Sequence, residues 1–227
     1  MNMHVFRGQA ELISTVILVS LAVVIALGLV YYLTPLLAGV RVEQQVMSRL
    51  AQIASSLDAG VAAAEPGANN LSAVFFVQNG GVDNVTVFLG VLAVKNNNVP
   101  VATLYNYSFY NMSSATAVLN GTAGWALLPS EQVNPGLVYV YAGDNYYTLA
   151  SFVRNITGYK MFTGGIIPPG GIGIYKLLLN FTTTRFTYEV AIFVMINGRY
   201  YEVAALPVLG AGGVIVTNTT LIARPVP

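Results

Sequence analysis

Residues Leu12 to Val40 read LISTVILVSLAVVIALGLVYYLTPLLAGV, 29 residues without one charged side chain. As a helix, at about 1.5 Å per residue, this run is longer than the roughly 30 Å hydrocarbon core of a bilayer. A helix that is apolar on every face needs lipid or other protein around it, because water solvates no side of it. The segment is therefore expected to span a membrane. It is about twice as long as the usual apolar core of a secretory signal, so cleavage inside it is not expected. Pro35 lacks a backbone donor, and a kink is expected there unless neighbouring groups satisfy the freed carbonyl.

The helical pattern continues past the membrane boundary. Val42, Val46, Leu50, Ile53 and Leu57 recur at spacings of 4, 4, 3 and 4, while Arg41, Glu43, Gln45, Ser48, Arg49 and Gln52 fall on other faces. One helix from about Gln9 to Asp58 follows, with Gly60, Glu65-Pro66-Gly67 and Asn69-Asn70 stopping it and forming a linker over 59–70. Such a helix is about 75 Å long, more than twice what a bilayer needs, so its outer half must pack on something other than lipid.

From Leu71 the periodicity changes to two, with runs of Val, Ile, Tyr, Phe and Thr divided by Gly, Asn and Pro. Strands are expected near 72–78, 82–94, 99–110, 137–142, 146–153, 173–182, 186–196, 199–206 and 213–223. The fold class is thus α+β: a long N-terminal helix, then an antiparallel β-sandwich or barrel over 71–227. Asn197-Gly198 is a type I′ turn pair and sets the register of its hairpin. Ile196 should face Arg199, Val194 face Tyr201 and Ile192 face Val203, which puts Val190, Ile192, Val194, Tyr201 and Val203 on one apolar face. The other face, with Thr187, Glu189, Phe193, Met195, Tyr200 and Glu202, is expected at a surface partly covered by a neighbour or by sugar.

Several function classes fit the composition poorly. Charged residues are 8% of the chain and the net charge is +1, so no basic footprint for nucleic acid exists. Cysteine is absent and the only histidine, His4, lies in a leader-like N-terminus, which removes thiolate catalysis and disfavours imidazole chemistry and zinc. The carboxylates Glu65, Asp83, Glu131, Asp144, Glu189 and Glu202 are scattered, with no close pair for acid and base work. Gly164-Gly165, Pro168-Pro169-Gly170-Gly171 and Gly210 to Gly213 lack the Lys-Ser/Thr ending of a phosphate loop and read as turns. The expectation is no enzyme, no cofactor and no metal. Fourteen tyrosines could supply an adhesive surface, although tyrosine in strands is more often ordinary packing.

Eight Asn-x-Ser/Thr triplets begin at Asn70, Asn84, Asn106, Asn111, Asn120, Asn155, Asn180 and Asn218, none with proline in the middle. Chance predicts about two, given the Asn, Ser and Thr content. All follow the helix, where residues 59–227 carry only 13 charged side chains, and glycans would supply the hydration those charges do not. Asn111 and Asn120 fall in a Ser-, Thr- and Gly-rich stretch expected to be accessible; Asn84 and Asn180 fall within expected strands, where half of all positions point inward.

Residues 1–58 resemble a known family. Arg7-Gly8-Gln9-Ala10-Glu11-Leu12, placed directly before an unbroken apolar helix, looks like the class III signal of archaeal type IV pilins and archaellins. The resemblance implies that a membrane-embedded prepilin peptidase removes residues 1–8 by cutting between Gly8 and Gln9. It also implies that the helix of 9–58 anchors the subunit and then becomes the core of a helical filament. Glu11 would be the third mature residue, whereas many bacterial pilins pair a glutamate at the fifth with a neighbour's N-terminal amine. On this basis Val24, Val42, Val46, Leu50, Ile53 and Leu57 are expected in the polymerisation helix. The expected function is a structural subunit of an extracellular filament, held in the membrane before assembly. Its partners would be itself, the peptidase, and an assembly ATPase with its membrane platform. An archaellin, a signal-anchored monomeric binding domain and a membrane-anchored hydrolase remain as alternatives.

Overall fold

A computed structural model describes residues 3–95, 99–103, 106–114, 117, 121–153, 156–181, 183, 185–210 and 222–223. The chain divides into two units, 1–46 and 47–227. Helix α1, Met3–Ser56, enters the second unit with its last ten residues. It starts before the expected Gln9 and runs through Pro35 without a break. Within the apolar stretch the hydroxyls of Ser20 and Thr34 donate to the carbonyls of Val16 and Val30, at 2.8 and 2.6 Å. Both hydroxyls are thus satisfied by the helix itself, as a nonaqueous setting requires.

The helix ends at Ser56 without a glycine, and β1, Leu57–Pro66, begins at the next residue. This corrects the expected linker over 59–70. Leu57 and Ala59 are buried and β1 pairs antiparallel with β2, Asn70–Asn79, so the segment is ordered by a neighbouring strand although its composition is poor in β-formers. Gly60 lies under the Phe76 ring, where an added Cβ would come within 2.9 Å. The turn to β2 is closed by the Gly67 N–H donating to the Asn70 carbonyl at 2.7 Å.

The described part of the second unit is a sandwich of two sheets. The smaller has the order β1-β2-β11-β5-β6, with β5 at Tyr107–Met112, β6 at Trp125–Leu127 and β11 at Ile172–Asn180. The larger has the order β7-β10-β3-β12-β13-β8-β9. Its strands are β3 (Val85–Lys95), β7 (Ser130–Val133), β8 (Val138–Ala142), β9 (Asn145–Thr148), β10 (Tyr159–Ile167), β12 (Thr187–Ile196) and β13 (Arg199–Leu209). Two short strands join it at the sides, β4 (Val99–Thr103) on β3 and β14 (Ile222–Ala223) on β13. Pairing is antiparallel except between β13 and β8. The expected strand over 99–110 is two strands, β4 and β5, and that over 146–153 is β9 followed by helix α2, Leu149–Phe152. Strands β6, β7 and β10 were not expected from the pattern, and the expected strand over 213–223 lies mostly outside the described residues.

Asn197 and Gly198 do form the turn, at φ 52° and 74°. Ile196 pairs with Arg199 and Val194 with Tyr201, as expected. A bulge between Ile192 and Phe193 then shifts the register, so Ile192 pairs with Ala204 and not with Val203.

Aromatic contacts run from one sheet to the other: Phe75 of β2 packs on Phe109 of β5, and Phe109 on Phe162 of β10, at centroid distances of 5.9 and 5.3 Å. The larger sheet has a second apolar cluster. Phe88 and Leu92 of β3 and Phe193 of β12 pack with Val138 and Val140 of β8, Tyr159 and Met161 of β10, and Leu149 of α2. The alternate residues of β3, Val87, Leu89 and Val91, are buried as well. Strands covered on both faces read as continuous apolar runs, which is the pattern of β3, β12 and β13. This corrects the expectation of a surface at Glu189, Phe193 and Glu202: all three are buried. Gly90 of β3 admits the Tyr159 ring to the second cluster, since a Cβ there would lie 2.2 Å from the Tyr159 hydroxyl oxygen.

Candidate functional site

The residues singled out by sequence fall at three separate places. The first is the apolar stretch of α1. Thr15–Thr34 is long and apolar enough to cross a membrane, and no part of it is buried within the chain. Val24 is 66% exposed, and Val16, Leu18, Leu21, Leu27 and Leu33 are exposed with it. Gly8, Gln9 and Glu11 lie within α1 as well. The stripe beyond it is used differently from expectation. Leu50, Ala54 and Leu57 are buried in the second unit, while Ile53 is only half-buried, so Ala54 takes the place assigned to Ile53. Val42 is 52% exposed and Val46 is buried. Leu50 and Leu57 are therefore buried within the second unit of the chain itself.

The second place is the set of sequons. Asn70, Asn84, Asn106, Asn111 and Asn180 are all exposed; Asn120, Asn155 and Asn218 lie outside the described residues. Asn84 precedes β3 and Asn180 ends β11, so both escape the inward positions that threaten a sequon inside a strand. Asn180 pairs with Asn70 across β11 and β2, and its N–H donates to the Asn106 carbonyl at 2.9 Å. Three acceptor asparagines thus meet at one end of the smaller sheet. Asn70 and Asn180 also border a cleft of about 450 Å³ floored by Leu71, Leu178 and Leu179, with Glu65 at its edge.

The third place is the charged side chains. Glu65, Asp83, Glu131 and Asp144 are exposed, Glu65 on β1, Glu131 on β7, and Asp83 and Asp144 between strands. Of the two buried glutamates, Glu202 ties strands together. A Glu202 carboxylate oxygen accepts the Tyr141 N–H at 3.0 Å, and the Tyr146 hydroxyl donates to the Glu202 carbonyl at 2.8 Å, tying β8 and β9 to β13. Glu189 and Glu202 pair with Pro207 and Phe193, which separates them by four residues along β12. Among the described residues no group of three His, Cys, Asp or Glu side chains is placed to hold a metal.

Two structural residues carried no signal in the sequence. Asn79 is fully buried; its Nδ2 donates to the carbonyls of Asp83 and Ile167 at 2.8 and 2.9 Å, and its Oδ1 accepts the Gly81 N–H at 2.9 Å. Lys176 of β11 is also buried, with its ammonium donating to the Gly121 carbonyl and lying 5.7 Å from the Trp125 ring centroid. Burial lowers its pKa, opposed in part by the Glu65 carboxylate.

No family model matches the chain, and no curated protein matches it. Among solved structures, a family 3b carbohydrate-binding module from the biomass-sensing system of Clostridium clariflavum is similar at 12% identity and a TM-score of 0.28, covering 64% of this chain and 92% of that one. The module CBM3b from the cellulosomal cellobiohydrolase 9A of Clostridium thermocellum is similar at 10% identity and a TM-score of 0.30, over 65% and 94%. The CBM3a-L domain of scaffoldin cipA from the same organism gives 14%, 0.28, and 74% and 98%. Likeness this slight assigns neither ligand nor activity. What stands on the chain's own features is an α+β protein with an apolar N-terminal helix and a mostly antiparallel β-sandwich.

Proposed function

We propose that this chain is a structural subunit of an extracellular archaeal type IV-like pilus, anchored in the membrane before assembly and polymerising through α1. The observation that carries the reading is the exposure of Val16 to Leu33 on every side of a helix that enters the β-domain. Lipid covers such a surface before assembly, and identical helices cover it afterwards. Heterologous contacts that do not close give each copy the several neighbours it needs. The Arg7-Gly8-Gln9 sequence adds the processing step, and the five exposed sequons suit a glycosylated exterior. An archaellin would share all of these features. The mass of the mature chain tests the processing: an N-terminus at Gln9 is expected, and one at Met1 or inside Leu12 to Val40 would contradict it.

A specific observation favours a second reading, a monomeric surface domain on a membrane anchor. Burial of Leu50, Ala54 and Leu57 inside the chain accounts for the stripe beyond the bilayer without a neighbour. Val42 separates the two. It lies beyond the apolar run, between Arg41 and Glu43, and is exposed in the subunit. Val42→Asp costs an anchored monomer little, because the charge stays in water, whereas between packed helices it is buried unpaired. The filament reading expects surface display to persist and sheared filaments to disappear. Filaments at wild-type abundance would remove Val42 from any intersubunit contact.

A further inference from the structure

The turn between β10 and β11 passes from one sheet to the other, and Asn79 fastens it. Gly170 N–H donates to the Asn79 carbonyl at 2.7 Å, and Asn79 N–H donates to the Gly171 carbonyl at 3.0 Å. With the Nδ2 bond to the Ile167 carbonyl, three bonds from one residue hold the turn, and Gly171 N–H closes it on the Pro168 carbonyl at 2.8 Å. Beside this fixed wall lies a cleft of about 260 Å³ lined by Asn111, Met112, Ile166, Ile172, Ile174 and Tyr175. Ile166 is 66% exposed and Ile172 57%. The Tyr175 hydroxyl donates to the Gly164 carbonyl at 2.9 Å, so it is already engaged. The cleft is uncovered by the described chain and sets these exposed isoleucine side chains among a larger share of polar surface.

Asn111 stands on its rim, exposed, at the head of the sequon Asn111-Met112-Ser113. We propose that the glycan on Asn111 folds back over this cleft, its first sugars lying on Met112, Ile166, Ile172 and Ile174. The inference rests on the glycoprotein reading and deepens it, because it makes one glycan part of the packing of the domain. The cleft is smaller than the roughly 300–1,000 Å³ of pockets that hold a free ligand by affinity alone. A sugar tethered at the rim is present at an effective concentration on the order of millimolar, so weak contacts suffice to seat it. Pyranose rings offer an apolar C–H face with hydroxyls around the edge, which suits an aliphatic floor bordered by open backbone. Asn84 borders a much smaller cleft, about 40 Å³, lined by Arg49, Gln52, Ile53, Val82, Asp83 and Val85.

Peroxide oxidation of the full mature chain, read by peptide mass spectrometry, tests this. Met112 is the probe, and Met195 of β12, which is also exposed, is the internal control. Glycopeptide mapping should find sugar on Asn111. Ser113→Ala removes the acceptor triplet without touching Asn111; Met112 should then oxidise several-fold faster and amides of 164–174 exchange faster, with Met195 unchanged. Ser113→Thr keeps the sequon and should restore protection, and Asn84→Gln should leave Met112 unaffected. If Ser113→Ala does not fold, the wild-type chain made in a host without N-glycosylation provides the same comparison. A bare Asn111 beside other occupied sequons overturns this proposal and leaves the glycoprotein reading standing; bare asparagines throughout overturn both. Sugar on Asn111 whose loss leaves Met112 unchanged overturns the proposal alone, as does protection found only in assembled filaments, which would assign the cleft to a second copy.

Discussion

Val24 and Val91 are the same side chain in opposite settings: in α1 Val24 is 66% exposed, and in β3 Val91 is fully buried. The β-domain buries most of its apolar residues, using both faces of the larger sheet to do so. The Thr15–Thr34 stretch of α1 buries none of its own, although the hydroxyls of Ser20 and Thr34 are satisfied by the helix itself. The contrast separates a region whose fold is complete in one chain from a region whose surroundings must come from lipid or from other copies. Function is expected in the incomplete region, and stability in the complete one.

The largest expected effect breaks the incomplete region alone. Val24→Asp places a charge where every setting on offer is apolar, at about 3 kcal/mol or more. Membrane retention and assembly should both be lost, while the β-domain in the full-length variant keeps its wild-type thermal transition. Assembly of Val24→Asp at wild-type abundance would mean that this face of α1 meets water.

Next in size, Asn79→Ala attacks the complete region. It leaves a buried backbone partner at Ile167 and part-buried ones at Gly81 and Asp83 unmatched, for an expected loss of about 2–4 kcal/mol in the denaturant midpoint analysis. Retention in the membrane should be unchanged. A loss below about 0.5 kcal/mol would show that the Asn79 side chain adds nothing to its backbone bonds in fastening the turn, on the scale of an ordinary surface substitution.

The smallest of the three uses pH. Burial raises Tyr175 from its ordinary value of 10.0 to about 12, and raises Tyr159, Tyr188 and Tyr200 as well. In the unfolded chain these phenols ionise near 10, so above that pH the folded state binds more protons and stability falls as pH rises. The stabilisation is complete below 10 and, for Tyr175, lost through about 12, amounting to about 2–3 kcal/mol. Lys176, with a lowered pKa, acts in the opposite sense. The β-domain should therefore lose stability between pH 10 and 12, and Tyr175→Phe should flatten that slope. A melting temperature constant across the interval would contradict burial of these rings.

The comparison also explains what could be read in advance. The apolar stretch and the Asn197-Gly198 turn were legible because each is determined by adjacent residues: unbroken hydropathy in one, positive φ at two positions in the other. Strand β1 was not, since Ala and Gly between Leu57 and Pro66 look like a linker until β2 lies beside them. Burial of Phe193 and Glu202 was hidden for the same reason: their cover comes from β8, β10 and α2, distant in the chain. The bulge at Ile192, which displaced the expected Val203 partner, has no local signature. The sequons were visible as triplets, but their exposure, and the meeting of Asn70, Asn106 and Asn180, belong to the sheet.

Electron microscopy of material sheared from cells, with the chain identified in it by peptide mass spectrometry, tests the central claim most directly. The account predicts filaments built from this chain with its N-terminus at Gln9. Recovery of the chain only from detergent-solubilised membranes, with none in the sheared fraction, would contradict the claim that α1 finds its surroundings in other copies.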